Sequence, residues 1–268
     1  NYRRFFDIND LAALRMESPR VFEDAHRLVS ELLEGGALDG LRIDHPDGLY
    51  DPAAYLRALR ERFADARPEG FYLVVEKILA PYERLPEHWP VQGTTGYEFA
   101  YLTNNLLLEA SGGPSLTRTY QRFLGAPPGY EELLYQCKLL IMRTQLSSEI
   151  TVLSNLADGI AQSNRRTRDF TLNGLRDALI EVVADFPVYR TYVGETGPDD
   201  EDRRYVHWAV VRAKKRSQAQ DPLIFDFLQH LMLDEGGEDA SEALRQAVHR
   251  FSVRVQQYTA PVMAKAME

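Results

Sequence analysis

Two short apolar runs in this chain each stop on a carboxylate, and that pairing constrains the fold more than any other feature. In "GLRIDHPDGLYDP", Gly40 to Pro52, Leu41 and Ile43 flank Arg42 and lead into Asp44, His45, Pro46, Asp47 and Gly48. In "FYLVVEKIL", Phe71 to Leu79, a β-branched and aromatic run meets Glu76. The two acids are 32 residues apart, with room between them for one helix. Asp51-Pro52 reads as N-cap and first helical residue, Tyr55, Leu56, Leu59 and Phe63 share one face, and Pro68 and Gly70 break the element. Strand, helix, strand with a crossover of this length predicts parallel pairing. Apolar runs of this kind predict a sheet covered on both faces. Asp44 and Glu76 then fall at equivalent places, the C-terminal ends of neighbouring strands. In a (β/α)8 barrel, active sites are built on that face.

One acid at a strand end is ordinary and reads equally well as a cap or a loop carboxylate. Two on adjacent strand ends form a candidate pair, because a carboxylate closing a buried run must be balanced by hydrogen bonds or charge. Arg42 stands two residues before Asp44, so their side chains share a face and the guanidinium can hold Asp44 ionised. Glu76 has Val74 in the corresponding place. Apolar surroundings would let it keep a proton and serve as a general acid. One charged and one protonated carboxyl is the division of labour of a retaining glycosidase.

The remaining segments read as helices. Ser18-Pro19 opens one whose apolar positions are Val21, Phe22, Ala25, Leu28, Val29, Leu32 and Leu33, closed by Gly35-Gly36. From about Tyr97 no strand pattern recurs. Helices are expected over 97–110, 115–124, 129–162 (with Leu133, Leu134, Cys137, Leu140 and Ile141 on one face), 170–184, 199–216, 221–233 and 238–257. "GTTG" at 93–96 lacks the Lys-Ser/Thr ending of a phosphate loop and reads as a turn. The fold class expected is α/β and mostly helical. Residues 1–98 would form a segment of a TIM-type barrel, and 99–268 a large all-helical subdomain inserted in it.

Composition removes several function classes. Lys plus Arg number 31 against 40 Asp plus Glu, a net charge of −9, which argues against nucleic acid as a partner. No apolar run approaches the roughly 18 residues of a membrane span, and "NYRRFFDIND" carries no secretory h-region. Cys137 is the one cysteine, so no intrachain disulfide is possible and a reducing, cytoplasmic setting is expected. The histidines at 26, 45, 88, 207, 230 and 249 include no i, i+4 pair, so no metal is expected. The basic runs at 163–169 and 211–218 read as a loop and a solvated helix face. Trp89 reads as a packing residue.

Taken together, "NYRRFFDINDLAALRME", "GLRIDHPDGL", "VVEKIL", "VQGTTGYEF", "DFPVYRTY" and "APVMAKAME" resemble the maltooligosyltrehalose synthase family of the α-amylase superfamily (glycoside hydrolase family 13). The blocks run in order from residue 1 to residue 268. The resemblance implies an isomerase acting on maltooligosaccharide, turning its reducing-end α-1,4 bond into an α,α-1,1 bond for trehalose synthesis, with no cofactor. It implies Asp44 as nucleophile, Glu76 as acid/base and Arg42 as the residue orienting the nucleophile. It further implies His45, Lys77 and Tyr97 as substrate contacts, with Tyr189 and Tyr192 as an aromatic lining. The superfamily's third acid, in a His-Asp pair, and its Asn-His motif are missing here. By resemblance the chain is therefore an internal fragment, inactive without the remainder of its parent chain. A hydrolase of the same superfamily and a non-catalytic glucan-binding or assembly module are the rival expectations.

Overall fold

A computed structural model describes the chain apart from residues 1–3, 6–7, 65–69, 126, 195, 218–220, 238–239 and 268, and gives backbone alone for 4–5 and 8–11. The break expected at Pro68, part of the 1–17 block and the first residues of the helix expected at 238 lie outside the described residues. Two strands, β1 (Arg4–Phe5) and β2 (Ile8–Ala12), form an antiparallel pair. Then come α1 (Pro19–Glu34), β3 (Gly40–Ile43), α2 (Pro52–Arg62) and β4 (Tyr72–Val75). Next are β5 (Gly93–Thr94), α3 (Tyr97–Leu106), α4 (Gly113–Leu124) and α5 (Tyr130–Arg143). The order closes with α6 (Ser147–Gln162), α7 (Leu172–Ala184), α8 (Asp200–Arg216), α9 (Pro222–Met232) and α10 (Glu242–Met267).

The expected parallel pairing is present: β3, β4 and β5 form a three-stranded parallel sheet in that order. Gly93 and Thr94, expected to be a turn, supply its third strand, and Gly96 (φ 91°) makes the turn instead. Close packing of β3 on β4 explains Gly40, where a Cβ would stand 2.5 Å from the Tyr72 carbonyl oxygen. Leu56, Leu59 and Phe63 of the α2 face join Phe71, Leu73, Val75 and Trp89 in one hydrophobic cluster. Asp51 caps α2 by accepting the Ala54 N–H at 2.8 Å.

The buried face of α1 is turned from the one expected. Phe22 and Leu33 are buried, while Leu28 is 65% exposed, and His26 and Ser30 fill the stripe. They can do so because His26 bonds the Phe22 carbonyl and the Tyr55 hydroxyl, and Ser30 donates to the His26 carbonyl.

A second, larger cluster is built by α5 through α10. Two of its helices start on local caps: Thr171 caps α7, and Asp199 and Asp202 form a reciprocal capping box on α8. The face expected on α5 is displaced. Leu133 and Leu140 are exposed, and Lys138, Leu139 and Met142 are buried. Helix α10 continues to Met267 with Pro261 inside it, ten residues beyond the expected end, since Tyr258 to Met263 are all buried against neighbours. Helices α3 and α4 bury none of their residues, and Phe99, Leu106 and Phe123 stand open to solvent.

Burial drives the Lys138 ammonium down to about 7 from 10.5, although it donates to the Phe186 carbonyl at 2.7 Å. Below the folded value both states carry the proton and the cost of burying it is constant. Between 7 and 10.5 the unfolded chain binds more protons than the folded one, so stability rises with pH. Relative to Lys138→Met, the native chain is expected to gain stability from pH 7 to pH 9, by up to about 1.4 kcal/mol per unit. Urea unfolding of both proteins at the two pH values measures this, and a constant difference would contradict it.

Candidate active site

The register Gly40↔Tyr72 to Ile43↔Val75 continues past the strands, with the Glu76 N–H donating to the Ile43 carbonyl at 2.8 Å. Asp44 and Glu76 are therefore the next pair in the ladder, side by side. Alternation places Arg42, Asp44 and Glu76 on one face. Arg42 reaches both acids, with Nη1 2.7 Å from Asp44 Oδ1 and Nη2 3.4 Å from Glu76 Oε1. The Asp44 side chain is 64% exposed and that of Glu76 25%.

The surroundings of Glu76 are polar, which corrects the apolar setting expected for it. Besides Arg42, its Oε2 accepts the His45 N–H at 3.0 Å and its Oε1 accepts the Tyr97 hydroxyl at 3.0 Å. Two residues back along its own strand Glu76 has only Val74. The partner came from the neighbouring strand, where parallel pairing offsets every residue by 32. Tyr97 is the first residue of α3, delivered by the left-handed Gly96. Its hydrogen bond to Glu76, followed by the charge of that carboxylate, pushes the phenol above its ordinary value.

His45 turns the chain immediately after Asp44. Its backbone is left-handed (φ 46°, ψ 54°), an uncommon conformation for a residue with a side chain. Its ring lies over Gly48, where a Cβ would approach His45 Cδ2 to 2.7 Å. The short 3-10 turn Pro46–Gly48 follows.

Lys77 is not placed as a sugar contact would be. It is 1% exposed, with Nζ 2.8 Å from Glu83 Oε1 and 3.3 Å from Asp47 Oδ2. Burial alone would push its pKa down; Asp47 and Glu83 outweigh that and hold the ammonium above the ordinary lysine value. Tyr189 and Tyr192 gather around this lysine, with ring centres 5.3 and 5.8 Å from Nζ. The Tyr192 hydroxyl donates to Asp47 Oδ1 and its ring packs edge-on against Trp89 at 4.9 Å. The Tyr189 hydroxyl points to Met267 Sδ at 3.9 Å. The structure thus groups Arg42, Asp44, His45, Glu76 and Tyr97 as one set, and Lys77, Tyr189 and Tyr192 as another. The second set includes Asp47, Glu83 and Arg190, which sequence reasoning passed over. Arg190 stands between the two tyrosines in "VYRTY" and is buried together with Thr191, against the usual exposure of arginine, so no local pattern marked it.

Among the described residues there is no group of three or more His, Cys, Asp or Glu side chains arranged to hold a metal ion. Nor is any helix among them long and apolar enough to cross a membrane.

Comparison with known proteins adds to this geometry. No family model matches the chain. A protein of Mycobacterium tuberculosis named as a maltooligosyl trehalose synthase is 43% identical over 116 residues, 43% of this chain and 15% of that protein. The structure of maltooligosyltrehalose synthase from Arthrobacter ramosus superposes with a TM-score of 0.79 and 33% identity, covering 98% of this chain and 30% of that one. The chain is similar to one internal part of a maltooligosyltrehalose synthase. A hypothetical maltooligosyl trehalose synthase of Sulfolobus tokodaii matches the same way, with a TM-score of 0.67 and 27% identity over 99% of this chain and 29% of its own. The chain thus spans less than a third of the length of these relatives, and its three parallel strands and helices match a fragment of the maltooligosyltrehalose synthase fold.

Proposed function

We propose that this chain is the acid-bearing part of an intramolecular transglucosylase that converts the reducing-end α-1,4 bond of a maltooligosaccharide into an α,α-1,1 bond. The observation that carries this is Arg42 touching both Asp44 and Glu76 at adjacent parallel strand ends. Glu76 protonates the glycosidic oxygen while Asp44 attacks the anomeric carbon, giving a covalent glycosyl-enzyme. The released glucose turns within the site and its anomeric hydroxyl attacks the intermediate, with Glu76 as base. Two inversions give net retention. The exchange depends on the glucose staying oriented and water staying out. His45 and Tyr97 border the reacting acids; Tyr189 and Tyr192 belong to the wall behind them.

In this reading β3, β4 and β5 are consecutive strands of a (β/α)8 barrel, residues 1–98 are its segment, and 99–268 are the helical subdomain. The third acid comes from the remainder of the parent chain, so the piece alone is inactive. The open apolar side chains of α3 and α4 support a covering by that remainder. The isolated chain is accordingly expected to self-associate and to bind an apolar dye, read by sedimentation and fluorescence. A monodisperse, dye-silent monomer would count against the fragment reading.

The deciding experiment incubates the uninterrupted protein with maltopentaose and follows proton NMR and mass. Loss of the reducing-end anomeric signal at constant mass is expected. Shorter sugars with free glucose would mean a hydrolase, and no change a binding module.

A further inference from the structure

The turn carrying Asp47 is held by the helical half of the chain. Arg190, buried in the segment between α7 and α8, donates from Nη1 to the Asp47 carbonyl at 2.8 Å and the Leu49 carbonyl at 2.7 Å. Gln257 of α10 donates to the Gly48 carbonyl at 2.9 Å. Three successive carbonyls of the turn are thus taken by two side chains from more than 140 positions further along the chain. The Asp47 carboxylate accepts the Tyr192 hydroxyl on one oxygen and faces Lys77 Nζ on the other.

This grip is anchored at its far end. The Tyr192 N–H goes to Asp202 Oδ1 at 2.9 Å, and Val193 exchanges hydrogen bonds of 2.8 and 3.0 Å with the Gln256 side chain. A continuous path therefore runs from α8 and α10 to both strand ends. It arrives at Asp47, three residues after Asp44, and at Lys77, the residue after Glu76.

We infer that Tyr192, Arg190 and Gln257 are positioning residues for the Asp44–Glu76 pair, a role that rests on the catalytic reading of those two acids. Between the gripped turn and Asp44 stands His45, whose left-handed backbone persists where its surroundings over-determine it. That same residue supplies the N–H on Glu76 Oε2. Loosening the turn lets His45 relax, which withdraws the N–H and shifts Asp44 against Glu76. A displacement of about 1 Å costs on the order of 100-fold in rate when two groups must act on one bond.

The test uses the full-length enzyme on maltopentaose with three variants. Tyr192→Phe removes one donor from Asp47 while keeping the ring on Trp89; Gln257→Met removes the donor to the turn; Asp44→Asn is the reference for the chemistry. For Tyr192→Phe and Gln257→Met, kcat is expected to fall roughly 10- to 100-fold with KM within about twofold. Both should keep an unfolding temperature within a few degrees of the parent, and the double variant should lose less than the product of the two, as members of one unit do. An unchanged kcat in both single variants, with Asp44→Asn inactive, overturns the positioning role alone. A raised KM at constant kcat also overturns it, since that is the mark of a substrate contact. An active Asp44→Asn overturns the catalytic reading and this inference together.

Discussion

Asp44→Asn is expected to silence the uninterrupted enzyme, lowering kcat by about four orders of magnitude or more, while leaving its unfolding temperature nearly unchanged. The two halves of that expectation come from different facts. Asp44 is mostly exposed and its ion pair is with Arg42, itself half-exposed, so the amide removes little burial and a screened contact. What it does remove is the anionic oxygen that attacks the anomeric carbon, for which the neutral amide is no substitute. Glu76→Gln should behave differently. The amide cannot donate a proton to the leaving oxygen, so turnover of maltopentaose falls, but a glycosyl fluoride needs little protonation and its first step should survive. The comparison separates nucleophile from acid: if the fluoride rescues Asp44→Asn and not Glu76→Gln, the roles are exchanged. Equal residual rates of both variants on both substrates would remove the acids from the chemistry altogether.

How much of this was readable beforehand follows the range of the interactions. Helix starts are set by residues within one turn, and Asp51-Pro52 was legible because the Ala54 N–H that Asp51 accepts is three residues away. The sheet was legible for a related reason. One crossover helix fixes parallel pairing, and the constant offset between strands makes Asp44 and Glu76 neighbours without any side-chain argument. The environment of Glu76 was not, because Arg42 and His45 arrive from the neighbouring strand and its turn, and Tyr97 from the start of α3. Lys77 was expected to face sugar by resemblance alone, yet it follows Glu76 directly, and consecutive residues face opposite ways. Its burial depends on Asp47 and Glu83 arriving from other segments. The α5 face failed for the same cause: a pattern that counts only apolar residues has no place for a buried lysine such as Lys138. The end expected for α10 was too early, since packing carries the helix through Pro261 to Met267.

Lys77→Met should be the most destabilising single change among these residues, costing about 3–5 kcal/mol, because it strands two buried carboxylates side by side without their cation. The methionine fits the volume and its apolar stem suits the site, so the loss is electrostatic and not a cavity. That distinguishes it from a core truncation. Adding Glu83→Leu to Lys77→Met should therefore recover part of the loss, since one stranded charge disappears, whereas two independent core defects would add. The pH dependence has a definite sign. With its folded pKa raised, Lys77 contributes fully below the ordinary lysine value of 10.5 and the contribution fades as pH climbs through the higher folded value. The gap between Lys77→Met and the parent should thus be flat near neutrality, closing in strong alkali as Lys77 loses its proton and in acid as the Glu83 carboxyl, which burial pushes up, gains one. Urea titrations across that range read it directly. A cost under about 1 kcal/mol at neutral pH would mean the cluster is wet and screened like a surface pair. In that case the grip on the Asp47 turn would pass to the Tyr192 hydroxyl, the Arg190 guanidinium and the Gln257 amide, whose geometry does not depend on the lysine charge.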